Sequence, residues 1–531
     1  MKTSIVRISV AALVVAALIL GIGVSAYAQD PISPPPTIPP QPDARPVPFF
    51  IGHEAVAKPI VAPTIPQNPF MAPDEWSAIH DDTYMSDTYV ASGPLGHNPI
   101  VSSVALGTQD KPFGLTASVV VDNAGRWVVS YFKADPTLGE HLPGGTVRQR
   151  WELLVLVDPD TLEILAGPLE LPKGPVTERW DFPPGGYWYR DNQDRIVTAT
   201  PVREIWVISH TYTPPYEFTI EHKYNLTGYI PEGDNIQAMI PDFSGRMWFT
   251  SKQGVVGVLD TEASNGDGEV LGSLQLGDEL IENGSAADET GGVYVGSSQA
   301  MYRFDFDADA DANGEPSITW RMPYDSGPPQ KSISLGSGTT PTLMGQDYVT
   351  IADNAEPQIH VNVYRRAKDI GDLPRLVCSE PVFEPGQGVA ENSLAATDRS
   401  IIVENNFGYT YWNRIQHGST TKPGFARIDI DEDGNGCHTV WTNMEESAPI
   451  ITPKLSLANG LFYTYTKPKG PANTDAWYFT AIDFDTGQTV YKVLAGTGPL
   501  FNAHMTVVYL LPDKTAFIGV FGGFVTIRDG P

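Results

Sequence analysis

The chain has 531 residues, a formal charge of −29, 18% charged residues, 50 Gly and 47 Pro. This turn-rich, well-cored composition excludes a disordered chain and a coiled coil. The negative field excludes nucleic acid and disfavours anionic membrane as partners, and otherwise reads as solubility or as attraction for cationic ligands.

At the start, Lys2 and Arg7 precede an apolar run from Ile8 to Val24, followed by Ser25-Ala26-Tyr27-Ala28. This is the layout of a secretory signal cleaved after Ala28. The run also reaches the shortest length that spans a bilayer, so a retained anchor is the alternative. With cleavage, no membrane contact is expected and the protein is periplasmic or extracellular. Residues 29–50 are Pro-rich and read as an extended linker. Residues 51–96 have little periodicity and are expected to lie across the outside or one face of the main domain. Within them, His80-Asp81-Asp82-Thr83-Tyr84-Met85-Ser86-Asp87-Thr88-Tyr89 is densely polar. His80 and Asp82 are ligand candidates there, either around a metal or in a polar strap; the spacing matches no metal class.

From residue 97 to 531, short apolar runs recur between Gly, Asp, Asn and Pro, as in Ala117–Asp122, Leu153–Asp158, Arg246–Ser251 and Thr515–Val520. They have strand length and strand composition. They group into a repeat: polar start, strand, turn, strand, Asp-rich turn, then a strand with Trp or Tyr. Seven full units fall near 115–172, 184–226, 233–276, 280–323, 336–384, 388–443 and 447–495. The stretch 500–529 supplies three strands, and Ile100–Leu106 is expected to supply the fourth. Such a unit is apolar on both faces and buries them only against its neighbours. The expected fold is all-β: an eight-bladed propeller of four-stranded antiparallel blades closed by an N-terminal strand, with seven blades as the alternative.

The run Ala481-Ile482-Asp483-Phe484-Asp485-Thr486-Gly487-Gln488-Thr489-Val490-Tyr491 resembles the repeat of the quinoprotein alcohol-dehydrogenase-like propellers, the PQQ-repeat-like superfamily. The resemblance implies eight blades, an aromatic docked between blades and a central funnel. True quinoprotein dehydrogenases hold pyrroloquinoline quinone (PQQ) under two adjacent Cys, with Ca²⁺ bound by Glu, Asn and Asp. Cys378 and Cys437 are not adjacent, which disfavours PQQ. Glu282-Asn283 or Glu391-Asn392 could imitate part of the Ca²⁺ site.

Residues at inner-strand starts point at a propeller's axis. Here those starts are assigned as Asp191-Asn192, Asn235 and Gln237, Glu282-Asn283, Glu391-Asn392, and Asn502 with His504, while Asn405 stands in a loop near one face. Converging carboxylates and amides suit a small polar or carbohydrate-like ligand, a hard cation, or acid–base chemistry. Asp429-x-Asp431-x-Asp433-Gly434 opens like a Ca²⁺ loop but has Val440 at the twelfth position, so it reads as a plain Asx turn. Export favours a Cys378–Cys437 disulfide, whereas outer strands of neighbouring blades diverge with radius and oppose it. The leading function is ligand binding in the funnel. An enzyme, either a quinone-dependent oxidoreductase or a carboxylate-driven hydrolase or lyase, and a protein-interaction scaffold are the alternatives.

Overall fold

Runs such as Leu115–Val121 and Ala476–Asp483 lack hydrophobic alternation because sheets cover both of their faces, and every residue in the two is buried. Outer strands behave differently. Cys437–Asn443 alternates between half-buried and exposed positions, as a strand facing solvent on one side should. The computed structural model describes residues 35–107, 114–133, 149–175, 186–263, 266–307, 314–328, 332–410, 412–471 and 473–531. The expected signal segment, 1–28, and the first residues of the linker lie outside the described residues.

Eight antiparallel sheets form a ring. Their innermost strands are Leu115–Val121 (blade 1), Tyr189–Arg190 (2), Ile236–Pro241 (3), Ser285–Ala287 (4), Thr342–Met344 (5), Ala395–Ala396 (6), Lys454–Ser456 (7) and Thr506–Leu510 (8). Blade 8 takes its outermost strand from the N-terminal side: Ile100–Ala105 pairs antiparallel with Gly523–Arg528, Ile100 opposite Arg528 and Ala105 opposite Gly523. The pairing closes the ring and covers an edge. Phe50–Gly52 adds a further strand outside blade 7, on Thr489–Thr497.

The hydrophobic core lies between blades. Val120, Val128 and Leu154 of blade 1 pack with Ile196 and Trp206 of blade 2, while Val119 and Trp127 pack with Tyr509, Phe517 and Phe524 of blade 8. Docking aromatics stitch the sectors together. Trp320 Nε1 of blade 4 donates to Arg366 O of blade 5 (3.3 Å), and Trp441 Nε1 of blade 6 to Phe484 O of blade 7 (2.8 Å). Gly487 is required here: its φ is +70°, and a Cβ would stand 2.5 Å from the Trp441 ring.

Four blades share a device at the end of the inner strand. Asp122, Asp191, Asp242 and Asp288 each accept, through Oδ1, the N–H groups two and four residues on, at 2.8–3.1 Å. The third residue after each Asp is left-handed: Gly125, Gly245 and Gly291, with Asp194 in blade 2. Such Asx turns satisfy backbone groups locally and need no metal.

Cys378 and Cys437 are bonded, with Cα atoms 5.9 Å apart. The expectation that outer strands diverge beyond bonding range fails at this pair. Cys378 is the third residue of its strand and Cys437 the first of the next blade's, and Glu380 Oε1 draws the strands together by accepting from Thr439 N (3.0 Å) and Oγ1 (2.8 Å). The bond closes a 59-residue span. Replacing both cysteines by Ser should therefore destabilise the protein by about 2–4 kcal/mol in chemical denaturation. An unchanged midpoint would show that the crosslink contributes nothing.

Candidate functional site

The segment 68–89 is where the ring and the N-terminal region meet. Among its residues, 77–89 are all buried. It does not wrap the outside but lies across one end of the central channel, bonded to the end of every inner strand. Val121 N donates to Trp76 O (blade 1), Arg190 N to Ser77 O (2), Ala287 N to Thr83 O (4), Leu343 N to Tyr84 O (5), Ala396 N to Ser86 O (6) and Leu455 N to Asp87 O (7). Asn68 Nδ2 donates to Pro241 O of blade 3 and Trp76 Nε1 to Leu510 O of blade 8. A chain that must meet eight radiating strands in turn cannot keep a regular conformation. Asp81, Met85 and Asp87 accordingly have φ of 76°, 55° and 52°.

This floor is highly charged. Lys454, fully buried, places Nζ 3.1 Å from Asp81 Oδ1, against Asp87 Oδ1, and 3.0 Å from Ile79 O. Burial pulls Lys454 down, but the two carboxylates outweigh it and raise its pKa. Burial pushes Asp81 up, with Lys454 opposing. His80 Nδ1 lies 3.0 Å from both oxygens of Asp87, and its Nε2 lies 3.4 Å from Ser393 Oγ and Thr340 Oγ1.

Above the floor is a cavity of about 250 Å³ at the starts of the inner strands. Its walls carry His80 from the floor, Tyr187, Gln237 and Lys252, the pairs Glu282-Asn283 and Glu391-Asn392, Ser393, and the segment Ile333-Ser334-Leu335. Both carboxylates hold that segment: Glu391 accepts from Ile333 N (2.7 Å), Ser334 N (3.2 Å) and Ser334 Oγ (2.7 Å), and Glu282 from Leu335 N (2.5 Å). Burial pushes Glu391 up to about 7 against those donors. The amides are oriented from behind. Asn283 Nδ2 donates to Ser337 O and Asn392 Nδ2 to Glu404 Oε1, at 2.9 and 2.8 Å. Gln237 Nε2 donates to Glu282 O at 2.7 Å.

Of the candidates from sequence, His80, Gln237, Glu282, Asn283, Glu391 and Asn392 converge on this cavity, whereas Asp191, Asn235, Asp82, Asn405 and His504 do not line it. Asp191 is displaced most. It follows the inner strand rather than opening it, so it sits at the floor end, clamped to Arg195 Nε at 2.7 Å. The recurring Asp-x-x-Gly-Arg of blades 1 and 3, in which Asp191 stands as Asp-x-x-Asp-Arg, is the signal that would have placed it. Asn235 is half-buried beside the cavity, and its carbonyl accepts from Lys252 N. Asn405 is a loop brace: Oδ1 accepts from Val389 N and Phe407 N, and Nδ2 donates to Gln387 O. Asp82 is buried in the floor, its Oδ2 taking Ser86 Oγ at 2.6 Å. His504 pairs through Nδ1 with Tyr409 OH at 2.6 Å, one residue from the lining Met505. Sequence reasoning did not single out Tyr187, Lys252, Ser393 or Lys454 as site residues.

The donor set does not fit the quinone site that the resemblance implies. Cys378 and Cys437 are crosslinked on outer strands, Glu391 and Glu282 accept from backbone N–H groups of 333–335, and the Asn283 and Asn392 amide nitrogens are taken by Ser337 O and Glu404. Among the described residues, no three His, Cys, Asp or Glu side chains are grouped to hold a metal. Asp429 pairs with Arg427 and Asp431 with His438.

No family model matches the sequence. An uncharacterized protein of Archaeoglobus fulgidus is 26% identical over 319 residues, which is 55% of this chain and 60% of that protein's length. Among solved structures, Sqt1 of Chaetomium thermophilum bound to the N-terminus of ribosomal protein L10 is 10% identical, with a TM-score of 0.45, over 83% of this chain and all of that one. A streptogramin B lyase is 9% identical, with a TM-score of 0.36, over 81% and 98%. The eight-bladed architecture rests on the strand pairing above and not on these likenesses.

Proposed function

We propose that this propeller, exported by its N-terminal segment, binds a small polar ligand of polyol or monosaccharide character in the funnel. The observation that supports this is a cavity of about 250 Å³, floored by a strap and lined by carboxylates, amides, hydroxyls, one imidazole and one ammonium. The lining carboxylates accept and the lining amides donate, and each hydroxyl group of such a ligand can do both. A site of this size takes one sugar unit and not a polymer chain.

Glu282 and Glu391 anchor the wall as well as offering acceptors, so removing either acts twice on a ligand. Calorimetric titration of the mature protein with monosaccharides, polyols and small hydroxy acids should find a binder. Glu282→Ala and Glu391→Ala should each weaken it at least tenfold, about 1.4 kcal/mol. Unchanged affinity in both variants would place the ligand elsewhere.

A further inference from the structure

His80, Asp87 and Ser393 form a chain of side chains that ends in the funnel. Asp87 reaches His80 Nδ1 at 3.0 Å, and Lys454 Nζ also contacts Asp87, at Oδ1. A carboxylate in that position accepts a hydrogen bond from Nδ1–H, which fixes the tautomer and leaves the Nε2 lone pair facing the cavity. Two hydroxyls stand 3.4 Å from it. Thr340 Oγ1 accepts from Gly284 N (3.2 Å) and is bonded to Tyr187. Ser393 Oγ accepts from Thr340 N (3.3 Å), which leaves its O–H to point at Nε2, and Ser393 lines the cavity. The spacing of 3.4 Å is loose for proton transfer and of the kind that tightens when a substrate is bound.

We propose that Ser393 is a nucleophile, with His80 as its base and Asp87 holding His80, and that the funnel hydrolyses small carboxylic esters bearing hydroxyl groups. This rests on the funnel being the ligand site. Ser393 Oγ adds to the ester carbonyl carbon while its proton passes to His80 Nε2. The C–O bond to the alcohol breaks, and that proton leaves with the alkoxide. Water then gives a proton to Nε2 as its oxygen adds to the acyl-Ser393 carbon. The Ser393 Oγ–C bond breaks, Oγ regains the proton, and the acid is released. Nothing is oxidised or reduced. Negative charge forming on the carbonyl oxygen develops in a cavity whose lining includes the Lys252 ammonium. The residues come from positions 80, 87 and 393, so no local sequence motif announces them.

The test treats the mature protein with a fluorophosphonate probe and with 4-nitrophenyl acetate, following intact mass, peptide mapping and release of nitrophenol. The expected result is one label per chain at Ser393, absent in Ser393→Ala and at least tenfold slower in His80→Gln, with nitrophenol release lost in parallel. Ser393→Ala removes one oxygen and serves if His80→Gln does not fold. Absence of label at Ser393 in folded protein overturns the proposal, as does labelling that His80→Gln leaves unchanged. If sugar or polyol binding persists without labelling, only the chemistry fails; if binding in the funnel is absent too, the ligand-site reading fails with it.

Discussion

Lys454→Met should cost about 3–5 kcal/mol of stability and release the channel floor. Lys454 is the cation between two buried carboxylates, Asp81 and Asp87, and also donates to Ile79 O. Its carbon chain is surrounded by protein, with the rings of Tyr89 and Tyr509 each 5.7 Å from Nζ. Methionine keeps the volume and removes the charge, so the loss isolates the electrostatics. Two carboxyl groups would then share a dry site with no counter-charge and must take up protons or water. Either response loosens 77–89, which should show as faster amide exchange there than in the blades. The triple variant Lys454→Met, Asp81→Asn, Asp87→Asn removes all three charges and should recover much of the loss, because breaking a buried ion pair costs more than deleting it. Urea unfolding measures both. A single variant within 1 kcal/mol of the parent (roughly the value of an exposed pair) would mean that the floor is not held by this lysine.

Thermal stability should be highest in mildly acid solution and fall as the pH rises to 8. Burial pushes Glu152 and Glu404 up to about 8, and Glu391 and Asp82 up to about 7, against the hydrogen bonds that each accepts. In the unfolded chain these groups release their protons near pH 4. Between that pH and 7–8 the folded state therefore holds more protons than the unfolded state, and stability falls as pH rises through the window. The opposite group is smaller in reach. Asp122, Asp288 and Asp483 are held below their ordinary values: burial alone would raise each, but hydrogen bonds from His210, Tyr294 and Lys58, with the Arg126, Arg303 and Arg366 charges, overcome it. Their contribution is present above pH 4 and disappears only below it. The net charge of −29 adds repulsion in the same direction as the first set. Scanning calorimetry should give a Tm at pH 5 above that at pH 8 by roughly 5 °C or more. Glu404→Gln keeps the bonds from Asn392 and Asn406 in reach and should flatten the slope. A Tm that rises from pH 5 to 8 would contradict the assignment.

The ring was legible because a repeat writes the same demand eight times. Each unit carries its own strands and turn residues, and the three-stranded last unit made the Ile100–Leu106 strand a necessity. The polar pairs Glu282-Asn283 and Glu391-Asn392 stood out because they align within that repeat, and they do meet at the funnel. The floor was not legible. Its hydrogen bonds go to eight different strands, so it has no period, and a lysine inside an inner strand reads as an ordinary strand residue until Asp81 and Asp87 are placed against it. Asp191 was assigned to the wrong end because a two-residue inner strand, Tyr189–Arg190, leaves almost nothing between start and turn. Ser393 follows a conspicuous Glu-Asn pair and draws attention only when His80, 313 residues away, is beside it.

The account's central claim is that the floored funnel is the binding site. A crystal structure of the mature protein soaked with the tightest-binding polyol or sugar tests it most directly. The account predicts the ligand between Glu282, Glu391 and His80, with the segment 77–89 closing the space beneath it. A ligand bound on the outer strands or loops, with only water in the funnel, would contradict it.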